Sequence, residues 1–240
     1  MRINNNFYLP KSQNLEYIMV HFMEMTFDDA LERLIDPAAE VSAHYLIKED
    51  GEIFQLVDDV NIAWHVEKSS WYGALALNQN TVGIELDNLG DCAFQELQMQ
   101  SCIKLSKFLM HKYNIAAENF IAHSDVAPSC KIGPGIFFYW ELCAKNGLGI
   151  WHNLQLLEDS KKLFVFGDKG VEIQQLQQNL KKVGYGLEIS SVFDIQTNFA
   201  IRSFKSKFYP EIIHKKGMGF YIDNNSQYTW CSFSELILQK

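Results

Sequence analysis

The sequence predicts an α/β fold, a central mixed β-sheet flanked by helices, followed by a small α-helical C-terminal domain. Three observations predict it. Apolar segments of strand length alternate with amphipathic helical segments through the first part of the chain. One pair of alternating segments surrounds a tight turn, which indicates an antiparallel hairpin and therefore a sheet that is not purely parallel. Beyond about residue 155 the pattern changes to two short amphipathic helices.

The predicted strands and helices of the first region differ in their apolar period. Strands show short apolar or alternating runs, and helices show apolar residues three and four positions apart. In chain order they are a strand at 17–23 (YIMVHFM), a helix at 26–35 capped by Thr26, a hairpin at 42–57 around the Glu49-Asp50-Gly51 turn, a strand at 81–86 (TVGIEL), a helix at 94–114 with Leu97, Cys102, Leu105 and Leu109 on one face, and a short strand, NFIAHSD, that enters a loop.

Two amphipathic helices follow the change in pattern. The first lies within 167–186 and is ended by Gly184. The second lies within 193–210, with Thr197 as its predicted cap and Pro210 at its end. We therefore predict a boundary near 155–166, with one domain at 1–155 and a second, helical domain at 165–240. The last thirty residues are not assigned to an element.

Composition limits the classes of function. The chain has 240 residues, is 48% hydrophobic and 13% aromatic, and has a formal charge of −8, so it can bury a core. An acidic chain without a Lys/Arg stripe argues against nucleic-acid binding and against docking on anionic lipid. No apolar run reaches the length of a spanning helix, and no secretory signal is visible. We expect a monomer, in the cytoplasm or exported by a route that the sequence does not reveal. The five scattered cysteines contain no CxxC pair and indicate reduced thiols.

Four residues form a candidate hydrolytic site. His21 and His123 each stand at the end of an apolar strand, where a sheet can bring two imidazoles to one zinc ion. Glu85 ends another strand and could act as general base beside a metal-bound water. Lys131 could stabilise an oxyanion. Taken one by one, each has a plainer interpretation: core histidines, a solvated carboxylate and an inert loop lysine.

A resemblance that extends in order over residues 16–151 decides between these interpretations. The segments EVSAHYLI, DGEIFQLV, AWH, LNQNTVGIEL and HSDVAP resemble the zinc N-acetylmuramoyl-L-alanine amidases of the amidase-2 (AmpD/AmiD-like) family. The segments GVEIQQLQQNLKKVGYG and FDIQTNFAIRSFKSKF resemble the helical peptidoglycan-binding domain that often accompanies them. The resemblance implies hydrolysis of the amide between N-acetylmuramic acid and L-alanine, with peptidoglycan or a muropeptide as the binding partner.

Matched by position, the resemblance assigns roles to individual residues. It implies that His21 and His123 bind zinc, that Glu85 orients and deprotonates the attacking water, and that Lys131 stabilises the tetrahedral oxyanion. His65, in AWH, is expected to line the substrate groove. A further family histidine, His44, is expected to be structural.

One departure from the family is at Gly133. The family usually has Arg-Lys-x-Asp-Pro-Gly, in which the Asp is the third zinc ligand, whereas this chain has Cys130-Lys131-Ile132-Gly133-Pro134-Gly135. Because glycine has no side chain, three hypotheses stay open. In the first, zinc is held with an extra water or with a substitute ligand, Cys130 or less readily Asp125. In the second, the protein binds peptidoglycan without cleaving it. In the third, a weakly held metal gives residual activity.

Overall fold

The computed structural model describes residues 9–12, 14–151, 162–210 and 221–223. The elements in chain order are β1 (Tyr17–Met23), α1 (Phe27–Ile35), β2 (Tyr45–Ile47), β3 (Ile53–Gln55), β4 (Ser70–Trp71), β5 (Ala74–Leu75), β6 (Thr81–Asp87), α2 (Glu96–Tyr113), β7 (Phe120–Ala122), α3 (His123–Val126), α4 (Trp140–Lys145), β8 (Lys162–Val165), α5 (Val171–Val183), α6 (Ile195–Phe208) and β9 (Tyr221–Asp223).

The main sheet has five strands in the order β3-β2-β6-β1-β7. β1 pairs in parallel with both β6 and β7, and β2 also runs parallel to β6. Only the hairpin partner β3 is antiparallel, paired with β2. The predicted mixed sheet is therefore confirmed. The interior strand β1 is apolar on both faces near its start, where Ile18, Met19 and Val20 are all buried, as expected of a strand covered on both sides.

Most predicted elements of the first region are confirmed. Thr26 caps α1 and accepts a hydrogen bond from the backbone N–H of Asp29. The hairpin forms by pairing Leu46 with Phe54. The α2 prediction was wrong in one respect, because Leu97 is 58% exposed while the other three predicted positions are buried. Leu97 lies in the first turn of the helix, where its neighbours Gln98 and Met99 are the buried residues.

The two predicted C-terminal helices are α5 and α6, and Gly184 ends the first of them. The predicted cap of α6 was wrong. Asp194 is the cap, and its carboxylate accepts from the backbone N–H of Thr197 at 2.8 Å and from its hydroxyl at 2.7 Å. Thr197 itself is buried inside the helix, where its hydroxyl accepts from Gln177 at 2.8 Å. Asp and Thr both favour the cap position. Here Asp194 takes it, because the side chain of Thr197 is bound to Gln177 in the interior.

The contacts within the chain divide it into two compact units. Unit 1 consists of residues 1–68, 76–123 and 133–150, and unit 2 of residues 69–75, 124–132 and 151–240. Unit 1 contains the main sheet, α1, α2 and α4, and unit 2 contains the β4–β5 and β8–β9 pairs with α3, α5 and α6. The domain limits 1–155 and 165–240 stay a prediction, and residues 152–161, 211–220 and 224–240 lie outside the described residues.

Buried apolar side chains form the core of unit 1. One cluster fills the space between α1 and the β2–β3 side of the sheet, with Ala30, Leu34 and Leu46 almost fully buried. Across the part of the chain that the structure describes, no helix is both long enough and apolar enough to cross a membrane.

Candidate active site

The candidate site forms where three parallel strands end together. His21 on β1 is paired with Glu85 on β6 in the strand register. On the other side of β1, Val20 is paired with Ala122, the last residue of β7, so His123 follows directly beside His21. Because parallel neighbours end at the same edge of a sheet, their carboxyl ends bring these three side chains together. Sequence spacing alone could not show this register.

The two strand-end histidines face each other through the same kind of nitrogen. Nδ1 of His21 lies 2.7 Å from Nδ1 of His123. Oε1 of Glu85 lies 3.7 Å from Nδ1 of His21. All three residues are buried, with exposed fractions of 2% for His21, 8% for His123 and 6% for Glu85. The structure therefore brings the two imidazoles together in a buried position, with the Glu85 carboxylate beside His21.

A third histidine, His65, contacts the opposite nitrogen of His21. Nδ1 of His65 lies 3.0 Å from Nε2 of His21, and the two rings meet edge to face at 89°. His65 is only 5% exposed. Burial lowers the pKa of His65 well below its usual value, so its imidazole is neutral. The structure thus places this residue behind His21 in the interior. Its expected role in the substrate groove stays a prediction.

His44 and Lys11 continue the buried polar chain. Nδ1 of His44 accepts from the backbone N–H of Gly83 at 2.9 Å, and its Nε2 lies 3.0 Å from the carbonyl of Asn61. Burial, with the charge of Lys11 nearby, lowers the pKa of His44 to about 3. Burial also lowers the pKa of Lys11 to about 7, against the opposing charge of Asp59. His44 is a neutral, fully buried residue that joins two backbone segments, as expected of a structural histidine.

Gly133, at the position of the family's third ligand, lies against the ring of Phe22. A Cβ atom added at Gly133 would be 3.1 Å from Cδ1 of Phe22 and 3.3 Å from Cε1. Gly90 approaches the same ring from another side, because a Cβ there would be 2.3 Å from Cε2 of Phe22. The ring of Phe22 therefore packs against two glycines, Gly133 and Gly90. A larger residue at 133 fits only if this ring shifts by a few tenths of an ångström.

Lys131 and Cys130 belong to unit 2. The backbone N–H groups of both donate to the carbonyl of Ala127, at 3.0 Å for Lys131 and 3.2 Å for Cys130. The side chain of Lys131 is half-buried, and Cys130 is exposed with its Sγ 3.7 Å from the same carbonyl. Their roles as oxyanion stabiliser and substitute ligand stay predictions.

Asp125, the other candidate substitute ligand, is fully buried in unit 2. Lys207 donates to its Oδ2 at 2.8 Å, and Tyr185 donates to its Oδ1 at 2.9 Å. The hydroxyl of Ser203 lies 3.3 Å from Oδ1. Both carboxylate oxygens already have strong donors, so Asp125 joins the 124–132 segment to α6 and to Tyr185, just after α5. The sequence offered no sign of this, because a lysine in FKSKF has the pattern of a solvated helix face.

The two facing imidazoles meet the requirements of half a zinc site. Two nitrogens bound to one tetrahedral zinc at about 2.0–2.1 Å would lie about 3.3 Å apart, so the 2.7 Å pair must open slightly. Both side chains are buried and converge. Within residues 9–12, 14–151, 162–210 and 221–223, no three His, Cys, Asp or Glu side chains are arranged to hold one ion. His65 does not complete a trio because it contacts the other nitrogen of His21.

Comparison with known proteins identifies the family of this chain. Residues 11–136, about half of the chain, match the family model described as N-acetylmuramoyl-L-alanine amidase, Amidase_2. This chain belongs to that amidase family. The match includes β1, β6 and β7, and with them the three strand ends that form the candidate site. The family expectation drawn from the sequence motifs is confirmed.

Individual relatives lie within the same family. The chain is similar to the N-acetylmuramoyl-L-alanine amidase AmiD of Escherichia coli, at 36% identity over 157 residues that cover 59% of this chain and 56% of AmiD. It is also similar to the 1,6-anhydro-N-acetylmuramyl-L-alanine amidase AmpD of Haemophilus influenzae, at 29% identity over 55% of this chain and 82% of AmpD. The first alignment therefore spans little more than half the length of that relative.

A solved structure shares the fold of this chain over nearly its whole length. It is the complex of E. coli AmiD with the substrate anhydro-N-acetylmuramic acid-L-Ala-D-γ-Glu-L-Lys, with a TM-score of 0.77 and 26% identity over 97% of this chain and 93% of that one. The predicted fold class is thereby confirmed. Two site features were not predicted from the sequence: the position of His65 behind His21, and its close packing on Gly83, where an added Cβ would lie 2.5 Å from Cγ of His65. The lone glycine inside TVGIEL is a sign of such a close approach.

Proposed function

We propose that this chain hydrolyses the amide between N-acetylmuramic acid and L-alanine in peptidoglycan or muropeptides, with zinc held by His21 and His123. The observation that supports it most directly is the buried approach of the two Nδ1 atoms beside Glu85, at the joined ends of β1, β6 and β7. Family membership and the substrate named for the AmiD complex point to the same bond.

The side chains of this chain supply the proton transfers. A bound zinc ion would supply a water of lowered pKa, poised to add to the amide carbonyl. Glu85 accepts the proton of that water and returns it to the nitrogen of the leaving L-alanine amine, so that the C–N bond breaks as the proton arrives. The carboxylate is buried, which removes competing water from its surroundings. Following the resemblance, Lys131 stabilises the oxyanion.

A second function, binding of peptidoglycan without cleavage, is favoured by Gly133. This position lacks a side chain, and no metal-binding trio exists among the described residues. Two neutral imidazoles hold zinc more weakly than a full set of three protein ligands. Glu85 supports the enzyme instead, because a buried carboxylate beside two imidazoles is not needed to hold a glycopeptide.

One experiment separates the two functions. The purified protein is analysed for zinc and incubated with anhydromuropeptide, and released stem peptide is measured by mass spectrometry. The enzyme requires stoichiometric zinc and cleavage, both lost in His123→Ala, and cleavage lost by at least about a hundredfold in Glu85→Gln with zinc retained. Binding of the muropeptide without cleavage, and without change in Glu85→Gln, would establish the non-catalytic function.

For unit 2 we infer peptidoglycan binding from the resemblance of α5 and α6 to wall-binding helices. A groove of about 480 Å³ within unit 2 supports this. The side chain of Tyr72 lines it and is 49% exposed, on a backbone in the left-handed region at φ 49°. Lys181, Glu188 and Gln196 add polar groups. An exposed aromatic ring among hydrogen-bonding groups suits a sugar or peptide ligand.

A further inference from the structure

The two ring nitrogens of His21 have different neighbours. Nδ1 faces His123 at 2.7 Å, and Nε2 faces Nδ1 of His65 at 3.0 Å. A neutral imidazole has one proton, which sits on only one of these nitrogens. Which nitrogen is protonated therefore depends on which neighbour accepts the hydrogen bond.

We propose that His65, packed on Gly83, accepts the Nε2–H of His21 and so holds His21 in the tautomer that presents an unprotonated Nδ1 toward His123. His65 is then a positioning residue that acts through His21. A histidine that binds metal through one nitrogen generally donates its other N–H to a fixed partner, and loss of that partner weakens binding about 10- to 100-fold. Only the expected effect of His65 on zinc binding rests on the proposed function.

The place of His65 is fixed by a glycine in the middle of β6. A Cβ atom at Gly83 would lie 2.5 Å from Cγ of His65 and 2.7 Å from its Nδ1 and Cδ2. No larger residue fits without moving the ring. Glycine weakens the interior of a strand, and its presence here is explained by this contact. Gly83 also lies two residues before Glu85 on the same strand, so the strand that delivers the carboxylate also positions the imidazole.

Within unit 1, the surroundings of His65 favour a contact with His21. At 5% exposure the residue has almost no surface for substrate. On its far side the ring of His44 lies at a centroid distance of 5.5 Å. His44 is itself occupied by the Gly83 N–H and the Asn61 carbonyl. The hydrogen-bonding contact of His65 with the site is therefore the one with Nε2 of His21.

The test measures the tautomer of His21 in the metal-free protein. Histidine side chains are labelled with nitrogen-15 and assigned by substitution. Wild type is expected to show His21 protonated at Nε2. His65→Leu, which offers no acceptor, is expected to lose this pattern, and His65→Gln, whose amide oxygen can accept, to retain it. Gly83→Ala keeps both histidines in the sequence and is expected to disturb the pattern by displacing the ring of His65. His111→Leu, an exposed histidine on α2, is the control.

Zinc titration of the same proteins gives the second measurement. His65→Leu and Gly83→Ala are expected to bind zinc at least about tenfold more weakly than wild type, with His65→Gln close to wild type. If His21 is protonated at Nδ1 in wild type, or if His65→Leu and Gly83→Ala both keep the wild-type tautomer, the proposal is wrong. If no protein binds zinc but the tautomer pattern is as expected, the zinc amidase function fails and the positioning role of His65 stands.

Discussion

The ammonium of Lys207 lies 2.8 Å from Oδ2 of Asp125, with the lysine side chain 6% exposed and the aspartate fully buried. This ion pair joins α6 to the short segment that contains Lys131. A buried pair of this kind adds little net stability when compared with apolar residues, but removal of one partner leaves a buried charge without compensation. Helix α6 therefore supports the 124–132 segment, which lies within the residues that match the amidase family.

Lys207→Met is expected to destabilise unit 2 strongly. The change removes the cation and leaves the buried Asp125 carboxylate with the neutral hydroxyls of Tyr185 and Ser203 beside it. Loss of one partner of a buried pair costs about 3–5 kcal/mol. The expected result is a lower urea midpoint for unfolding, measured by tryptophan fluorescence.

The matched double variant Asp125→Asn/Lys207→Met is expected to recover much of that loss, because it leaves no buried charge. Lys181→Met, an exposed lysine on α5, is the control and is expected to leave the midpoint unchanged. Equal midpoints for Lys207→Met and Lys181→Met would contradict the assignment of Asp125 as a buried anchor.

The lowered pKa of Asp59 is expected to make the stability of unit 1 depend on pH. Burial tends to raise the pKa of its carboxyl, but hydrogen bonds from Tyr45 at 2.6 Å, Lys112 at 2.9 Å and Tyr113 at 2.7 Å outweigh burial and lower it below 3.8. A carboxyl with a lowered folded pKa stabilises the protein above its unfolded pKa. That stabilisation is lost as pH falls through the folded value.

Asp59→Asn is therefore expected to lower the free energy of unfolding by about 2 kcal/mol at pH 7, where the charged hydrogen bonds are complete. The difference from wild type is expected to shrink as pH falls below about 4. Urea unfolding between pH 7 and pH 3 measures both. A difference that stays constant over this range would mean that the folded pKa of Asp59 is not lowered.

The sequence predicted the strands and helices better than the contacts between them. YIMVHFM and TVGIEL are recognisable as strands because their apolar side chains are local and continuous. The register that places His21 opposite Glu85 depends on pairing between distant segments, which no local pattern determines. For the same reason Thr197 looked like a cap, whereas Asp194 is the cap and Thr197 is held by Gln177.

The candidate site shows the same limit. Family motifs identified both strand-end histidines, but not the nitrogens that face each other or the position of His65. Lys207 had the pattern of an exposed residue, because burial by a segment some eighty residues earlier in the chain leaves no trace in the helix period.

Tyr72→Ala is expected to weaken binding of the protein to purified peptidoglycan sacculi if the groove of unit 2 binds the wall. Removal of an aromatic platform typically costs about 1 kcal/mol or more, or roughly fivefold in affinity. Cosedimentation measures the bound fraction. Tyr139→Ala is the matched control, because this tyrosine is similarly exposed, at 43%, but belongs to unit 1. Equal loss in both variants would show that the groove is not the wall site.

Gly133→Asp is expected to restore the third ligand and tighten zinc binding by more than about tenfold, since even outer partners of a metal site contribute that much. The backbone accepts the change, because Gly133 does not have a positive φ. Its new Cβ would meet the Phe22 ring at 3.1 Å, a contact that requires a small ring shift. Phe22→Leu/Gly133→Asp is therefore expected to bind zinc at least as tightly as the single variant.

Gly133→Asn is the control for this change, because it has nearly the same shape without the negative charge that favours a dication. Isothermal titration with zinc, followed by the muropeptide cleavage assay, compares the four proteins. Cleavage by wild type with only a modest gain in Gly133→Asp would show that two histidines suffice. Cleavage confined to the Asp variants would show that loss of the ligand at 133 converted an amidase into a binding protein. Zinc affinity equal in wild type, Gly133→Asp and Gly133→Asn would show that residue 133 does not face the metal position.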